Sequence, residues 1–149
     1  MAWTVPKAWS VAPSSSSMRV ATYKAAPAPG DPEGVEIAVF YFGPGQGGAV
    51  DANVKRWFAQ FQPEGKGSAE KQQRTKVNGL DVTLVSTEGT YASGGMMGPA
   101  TPKKGFALRG AIAEGPEGAV FFKMTGPKTT VAKSGPDFDS LVKSLTKPR

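Results

Sequence analysis

The chain contains neither cysteine nor histidine. Without cysteine it has no disulfides, no thiolate zinc sites, no iron–sulfur clusters and no cysteine nucleophile. Without histidine it loses the side chain that most often works as a general base near neutral pH, and the commonest transition-metal ligand. Ser-His-Asp triads are excluded, as are histidine-ligated iron, copper and zinc sites. Carboxylate and lysine chemistry stay open. No stretch approaches the ~20 apolar residues that span a bilayer. Negative charge is also scarce: twelve Asp/Glu face eighteen Lys/Arg, a net charge of +6. That balance favours anionic partners, although a net charge of about 2–8 is ordinary for a small domain surface. Met1-Ala2-Trp3 has neither the charged nor the apolar region of a signal peptide, so an exported form is expected to have lost its leader from this sequence.

What is present suits one domain of 149 residues. Chains of this size bury roughly 68–70% of their unfolded surface, enough for a core without staples. Residues 1–17 carry Trp3, Pro6 and Trp9 and then four serines, which predicts an extended segment followed by a loop. Residues 18–25 alternate as a strand does. Residues 35–42, VEIAVFYF, are almost continuously apolar, β-branched or aromatic, as in a central strand covered on both faces.

After GPGQGG (43–48), residues 49–62 place Val50, Val54, Trp57, Phe58 and Phe61 on one helical face, with Asp51 suited to the first turn. Residues 70–77 are polar and predict an exposed or edge strand. Asn78-Gly79 is a hairpin signal, and 80–91 continues as a half-buried strand. Residues 105–114 and 119–124 form a second hairpin around Gly115-Pro116-Glu117-Gly118. Phe121 and Phe122 are expected to be buried on opposite faces. A Thr-Gly-Pro turn and a polar, helix-prone connection then lead to a last helix, with Asp137 and Asp139 at its start, an apolar face of Phe138, Leu141, Val142 and Leu145, and Lys143 and Lys147 near its end. The order β-β-α-β-β-β-β-α predicts an α+β fold: a mostly antiparallel sheet of about six strands covered by helices.

Several segments together resemble the PsbP-like and Mog-like α/β/α sandwich superfamily. They are Pro6…Trp9, Phe40-Tyr41-Phe42 ahead of a helix, GTY (89–91), LRGAI (108–112) and FFKMTGP (121–127) leading to a helix with Phe138 and Leu141. The pattern is most similar to uncharacterised bacterial members, many exported or lipid-anchored. The resemblance implies a single sandwich domain over 1–149 in the periplasm or cell envelope, acting as a non-catalytic binding or assembly subunit. It implies a protein partner and no cofactor. Its motifs describe packing, and no residue matches the photosystem or Ran-binding roles of the superfamily.

Candidate contacts follow from the residues themselves. The 92–104 loop carries Met96 and Met97, which adapt to irregular surfaces, and the pair Lys103-Lys104. Loops on rigid scaffolds commonly carry binding. Lys103, Lys104, Arg109, Lys123 and Lys128 lie in or beside the last hairpin and would make a basic face if they point the same way. That is the alternative reading, a binder of an anionic lipid, glycan or nucleic acid. Phe121 and Phe122, being buried, leave no evident stacking platform for nucleic acid. GPGQGG precedes a helix but lacks the Gly-Lys-Ser/Thr ending of a phosphate loop. An enzyme working through carboxylate or lysine chemistry comes third.

Overall fold

The computed structural model describes residues 3–7, 9–12, 19–27, 29–30, 34–41, 50–62, 70–91, 103–115 and 118–146. Eight strands form one sheet: β1 (Ser10–Ala12), β2 (Arg19–Ala25), β3 (Val35–Tyr41), β4 (Phe61–Gln62), β5 (Lys71–Val77), β6 (Leu80–Tyr91), β7 (Lys103–Gly115) and β8 (Gly118–Pro127). Helix α1 (Val50–Ala59) joins β3 to β4, and α2 (Lys128–Lys143) follows β8. The order across the sheet is β1-β2-β3-β8-β7-β6-β4, with β5 also paired to β6. Each pairing is antiparallel. The α+β class and the antiparallel sheet are as expected; the count of about six strands is corrected to eight. The two additions, β1 and β4, are three and two residues long, too short for hydrophobic periodicity to register.

Strand alternation divides the core in two. Val35, Ile37 and Val39 of β3, Val120, Phe122 and Met124 of β8, and Leu80 and Val82 of β6 join Val131, Phe138, Leu141, Val142 and Leu145 in one cluster. Phe121, Val85, Phe106, Leu108 and Ile112 join Val54 and Trp57 of α1 and Phe61 in the other. Phe121 and Phe122 are thus buried on opposite faces, under α1 and α2 respectively. The N-terminal segment adds to the α2 side. Trp3 meets Phe122 edge-on at 5.1 Å, its indole donates to the Tyr23 hydroxyl at 3.2 Å, and the Thr4 N–H donates to Ser144 Oγ at 2.7 Å.

Two helix boundaries differ from the expectation. Helix α1 ends at Ala59. Phe61, expected on its apolar face, opens β4, pairs with Tyr91 and stacks on its ring at 4.9 Å. Likewise β8 runs through the Thr-Gly-Pro segment to Pro127, and α2 begins at once at Lys128. Asp137 and Asp139 therefore lie well inside the helix, and its first turn holds no acidic residue. Pro136 lies inside the helix, although proline disfavours the α region for the residue before it. Here that residue is Gly135, which lacks the Cβ that makes the clash severe. Thr130, Val131, Ser134, Gly135, Phe138, Leu141 and Val142 then form one continuous buried face.

The Asn78-Gly79 turn is as expected. Both residues have positive φ, 49° and 81°, as a two-residue hairpin of the mirror-image type requires. Asn78 Nδ2 also donates to the Leu145 carbonyl at 2.7 Å, fastening the hairpin to the end of α2.

Candidate functional site

A groove runs along the α2 side of the sheet, between the helix and β5. Its main part holds about 540 Å³, and a second part of about 440 Å³ lies toward the start of α2. Leu84, Phe138 and Val142 give the main part an apolar lining, and Lys71, Gln73, Arg109, Asp139 and Lys143 give it polar walls. Lys128 and Glu88 line the second part, which shares Lys71 and Arg109 with the first.

Register explains why these side chains meet. Lys71 pairs with Ser86, Ser86 with Arg109, Arg109 with Met124, Met124 with Ile37, and Ile37 with Tyr23. Residues paired across neighbouring strands share a face, so this is one row on the α2 side. Ile37 and Met124 are wholly buried at its centre, while Lys71 is exposed at its edge. Helix α2 covers the middle of the row and stops short of β5. The uncovered end is the groove.

Arg109 reaches from β7 across α2. Its Nη2 donates to Asp139 Oδ2 at 3.4 Å, and the two side chains keep 35% and 46% of their surface exposed. Gly135 makes room for the crossing: a Cβ there would fall 2.0 Å from Arg109 Nη1. Pro136, having no N–H, leaves the Ala132 carbonyl without its helical donor, and Ala132 lines the second part of the groove. Lys71 and Lys143 have no anionic partner among the described residues. The groove therefore offers the ammonium groups of Lys71, Lys128 and Lys143, none ion-paired among the described residues, and one half-committed guanidinium, against Asp139, tied to Arg109, and Glu88 in the second part.

The expected basic residues do not form one face. Lys123 pairs with Gly110 and points to the α1 side, where its Nζ donates to Gln60 Oε1 at 2.5 Å and lies 5.6 Å from the Tyr91 ring centre. Arg109 is on the other side of the sheet. The expectation is corrected by the turn: Gly115 pairs with Gly118, which sets Arg109 against Met124 and not against Lys123. Lys128 lines the groove beside Arg109. Lys103 and Lys104 open β7, Lys103 pairing with Tyr91. Met96, Met97 and the GPGQGG segment lie outside the described residues.

Lys71 and Lys143 were not singled out by sequence reasoning. The signal for Lys71 was present: 71–76 holds no apolar side chain, and all six residues are exposed. No group of three or more Asp/Glu able to hold a metal ion occurs among the described residues. No helix among them is long and apolar enough to cross a membrane.

No protein-family model matches the chain, and no curated protein is similar to it by sequence. Among solved structures, the fold is similar to that of PA94 from Pseudomonas aeruginosa, a protein of unknown function described as a candidate regulator. The TM-score is 0.57 at 17% identity, covering 86% of this chain and 81% of the other. At that identity the likeness is one of fold alone: a large antiparallel sheet with two helices in an α+β arrangement.

Proposed function

We propose that this protein is a non-catalytic binding or assembly module, of the PsbP-like and Mog-like kind, that holds a protein partner along the α2 groove in the bacterial cell envelope. The observation that carries the reading is the groove itself: an open channel with an apolar lining, flanked by Lys71 and Lys143, neither of which is ion-paired among the described residues. Open surfaces that mix apolar lining with polar rims suit macromolecular contact. Of the groove's two carboxylates, Asp139 is engaged by Arg109 in an open setting and Glu88 is exposed on the wall of the second part, which suits anchoring better than proton transfer. The superfamily assignment and the envelope location draw their support from the sequence resemblance. The segment between Tyr91 and Lys103, with Met96 and Met97, is the second contact in this proposal.

The test is partner capture from host extract at low and high salt, comparing the wild-type chain with a Lys71→Glu/Lys143→Glu double variant. Both side chains are exposed, so the variant is expected to fold normally. A protein retained by the wild type at both salts and lost by the variant is the expected result. Equal capture by the two chains overturns the reading. Retention of a lipid, glycan or nucleic acid at low salt only would move the assignment to a polyanion binder, since such contacts weaken steeply with salt.

A further inference from the structure

Resting on the binding reading above, we infer that the partner presents an extended acidic segment that adds as a further strand to the outer edge of β5, its carboxylates facing Lys71 and Lys143. Three features of β5 point there. It is seven residues long, and its six residues from Lys71 to Lys76 are all exposed. It pairs with β6 on one side, and among the described residues no strand pairs with its other side. It carries Lys71, Arg74 and Lys76 and no acidic residue.

The edge, unpaired among the described residues, selects the class of partner. An unpaired strand edge offers alternating N–H donors and C=O acceptors. An extended peptide satisfies both, because its own main chain alternates in the same way. A nucleic acid or sulfated glycan supplies mainly acceptors and would leave the outward carbonyls of β5 unmatched. A second copy of the chain fits poorly, since pairing β5 with itself would set three cations against three. Like charges across a strand pair are destabilising.

The two sides of β5 also differ. Toward α1, Arg74 and Lys76 lie 3.9 Å from Glu114 and Asp81. Toward α2, Lys71 makes no ion pair among the described residues and lies in the same channel as Lys143, with Glu88 on the wall of its second part. Acidic side chains at every second position of an added strand would lie on that one side.

The probe is a synthetic peptide, Thr-Asp-Val-Asp-Val-Asp-Thr, followed by fluorescence anisotropy and by hydrogen exchange of β5 amides in the full chain. Two further peptides carry N-methyl groups, one on the Asp amides and the other on the Val amides. In an added strand one of these sets faces β5 and the other faces solvent. The expected result is that one methylated peptide binds at least tenfold more weakly while the other binds like the parent, and that β5 amides gain protection. An Asn-for-Asp peptide is expected to lose at least tenfold, as is the parent peptide against Lys71→Glu/Lys143→Glu. Equal binding by both methylated peptides overturns strand addition. So does tighter groove binding by an oligothymidylate than by the parent peptide. If no acidic peptide binds, yet the double variant still loses its cellular partner, strand addition falls and the binding module stands. If the double variant keeps that partner, the module reading falls as well.

Discussion

Two adjacent rows of paired residues cross the middle of the sheet and face opposite ways. On the α2 side run Lys71, Ser86, Arg109, Met124, Ile37 and Tyr23. On the α1 side run Gln72, Val85, Gly110, Lys123, Ala38 and Thr22. Each row has a cation near its centre, yet the two cations differ in use. Lys123 is spent on its surroundings, between Gln60 and the Tyr91 ring. Arg109 is held by one exposed carboxylate and borders an open channel. The α1 face is closed by Trp57 packed tightly over Gly110, whereas the α2 face is closed at its centre and open at one edge. Function is therefore sought where burial ends along a row and not where charge is densest in the chain.

That contrast breaks most severely if either phenylalanine of β8 is truncated. Phe122→Ala and Phe121→Ala are each expected to cost about 3–5 kcal/mol in urea unfolding. Phe122→Ala should cost the more, because the α2-side cluster is the larger and includes Trp3. The reverse order would show that the α1 face carries more of the stability.

A smaller effect compares the two close approaches to glycine. At Gly110 an added Cβ would lie 2.6 Å from Trp57 Cζ3 and 2.9 Å from Val85 Cγ2. Those are packed side chains with little room to yield, so Gly110→Ala is expected to cost about 1–3 kcal/mol. At Gly135 the obstacle is the far end of the Arg109 side chain, which can swing into the groove. Gly135→Ala is therefore expected to lower the melting temperature less than Gly110→Ala. An equal loss would mean that Arg109 is fixed more firmly than a single 3.4 Å contact implies. Least of all, Asp139→Asn is expected to change stability by under about 1 kcal/mol, the range of exposed ion pairs. A larger change would show that this pair holds α2 in place.

Much of this was legible in the chain. The nearly continuous apolarity of 35–42, the Asn78-Gly79 turn and the opposed pair Phe121-Phe122 each carry a local cause that acts within a few residues. The start of α2 was harder to read, because Pro136 is an ordinary stop signal and Gly135 disarms it only through the absence of a side chain. Phe61 fits the helical spacing of Trp57 and Phe58; its pairing with Tyr91, thirty residues away, decides its place instead. The separation of Arg109 from Lys123 depends on hairpin register. A two-residue loop at Pro116-Glu117 would have revealed it, since each step from the Gly115–Gly118 pair fixes the next. The groove is the least local feature. It exists because α2 and the turn after it, running from Lys128 near Thr87 to Leu145 beside Asn78, leave β5 uncovered, and no short window of sequence contains that fact.

The pairing of β3 with β8 also has a consequence for synthesis. Val39 must wait for Phe122, roughly 80 residues later, or about 4–16 seconds at ordinary translation rates. Throughout that interval a nearly continuous apolar strand has emerged with β2 on one side and no partner yet on the other. Helix α2 emerges later still and brings Phe138, Leu141 and Leu145 to the larger core. The chain thus makes an apolar central strand early and the helix that covers it last.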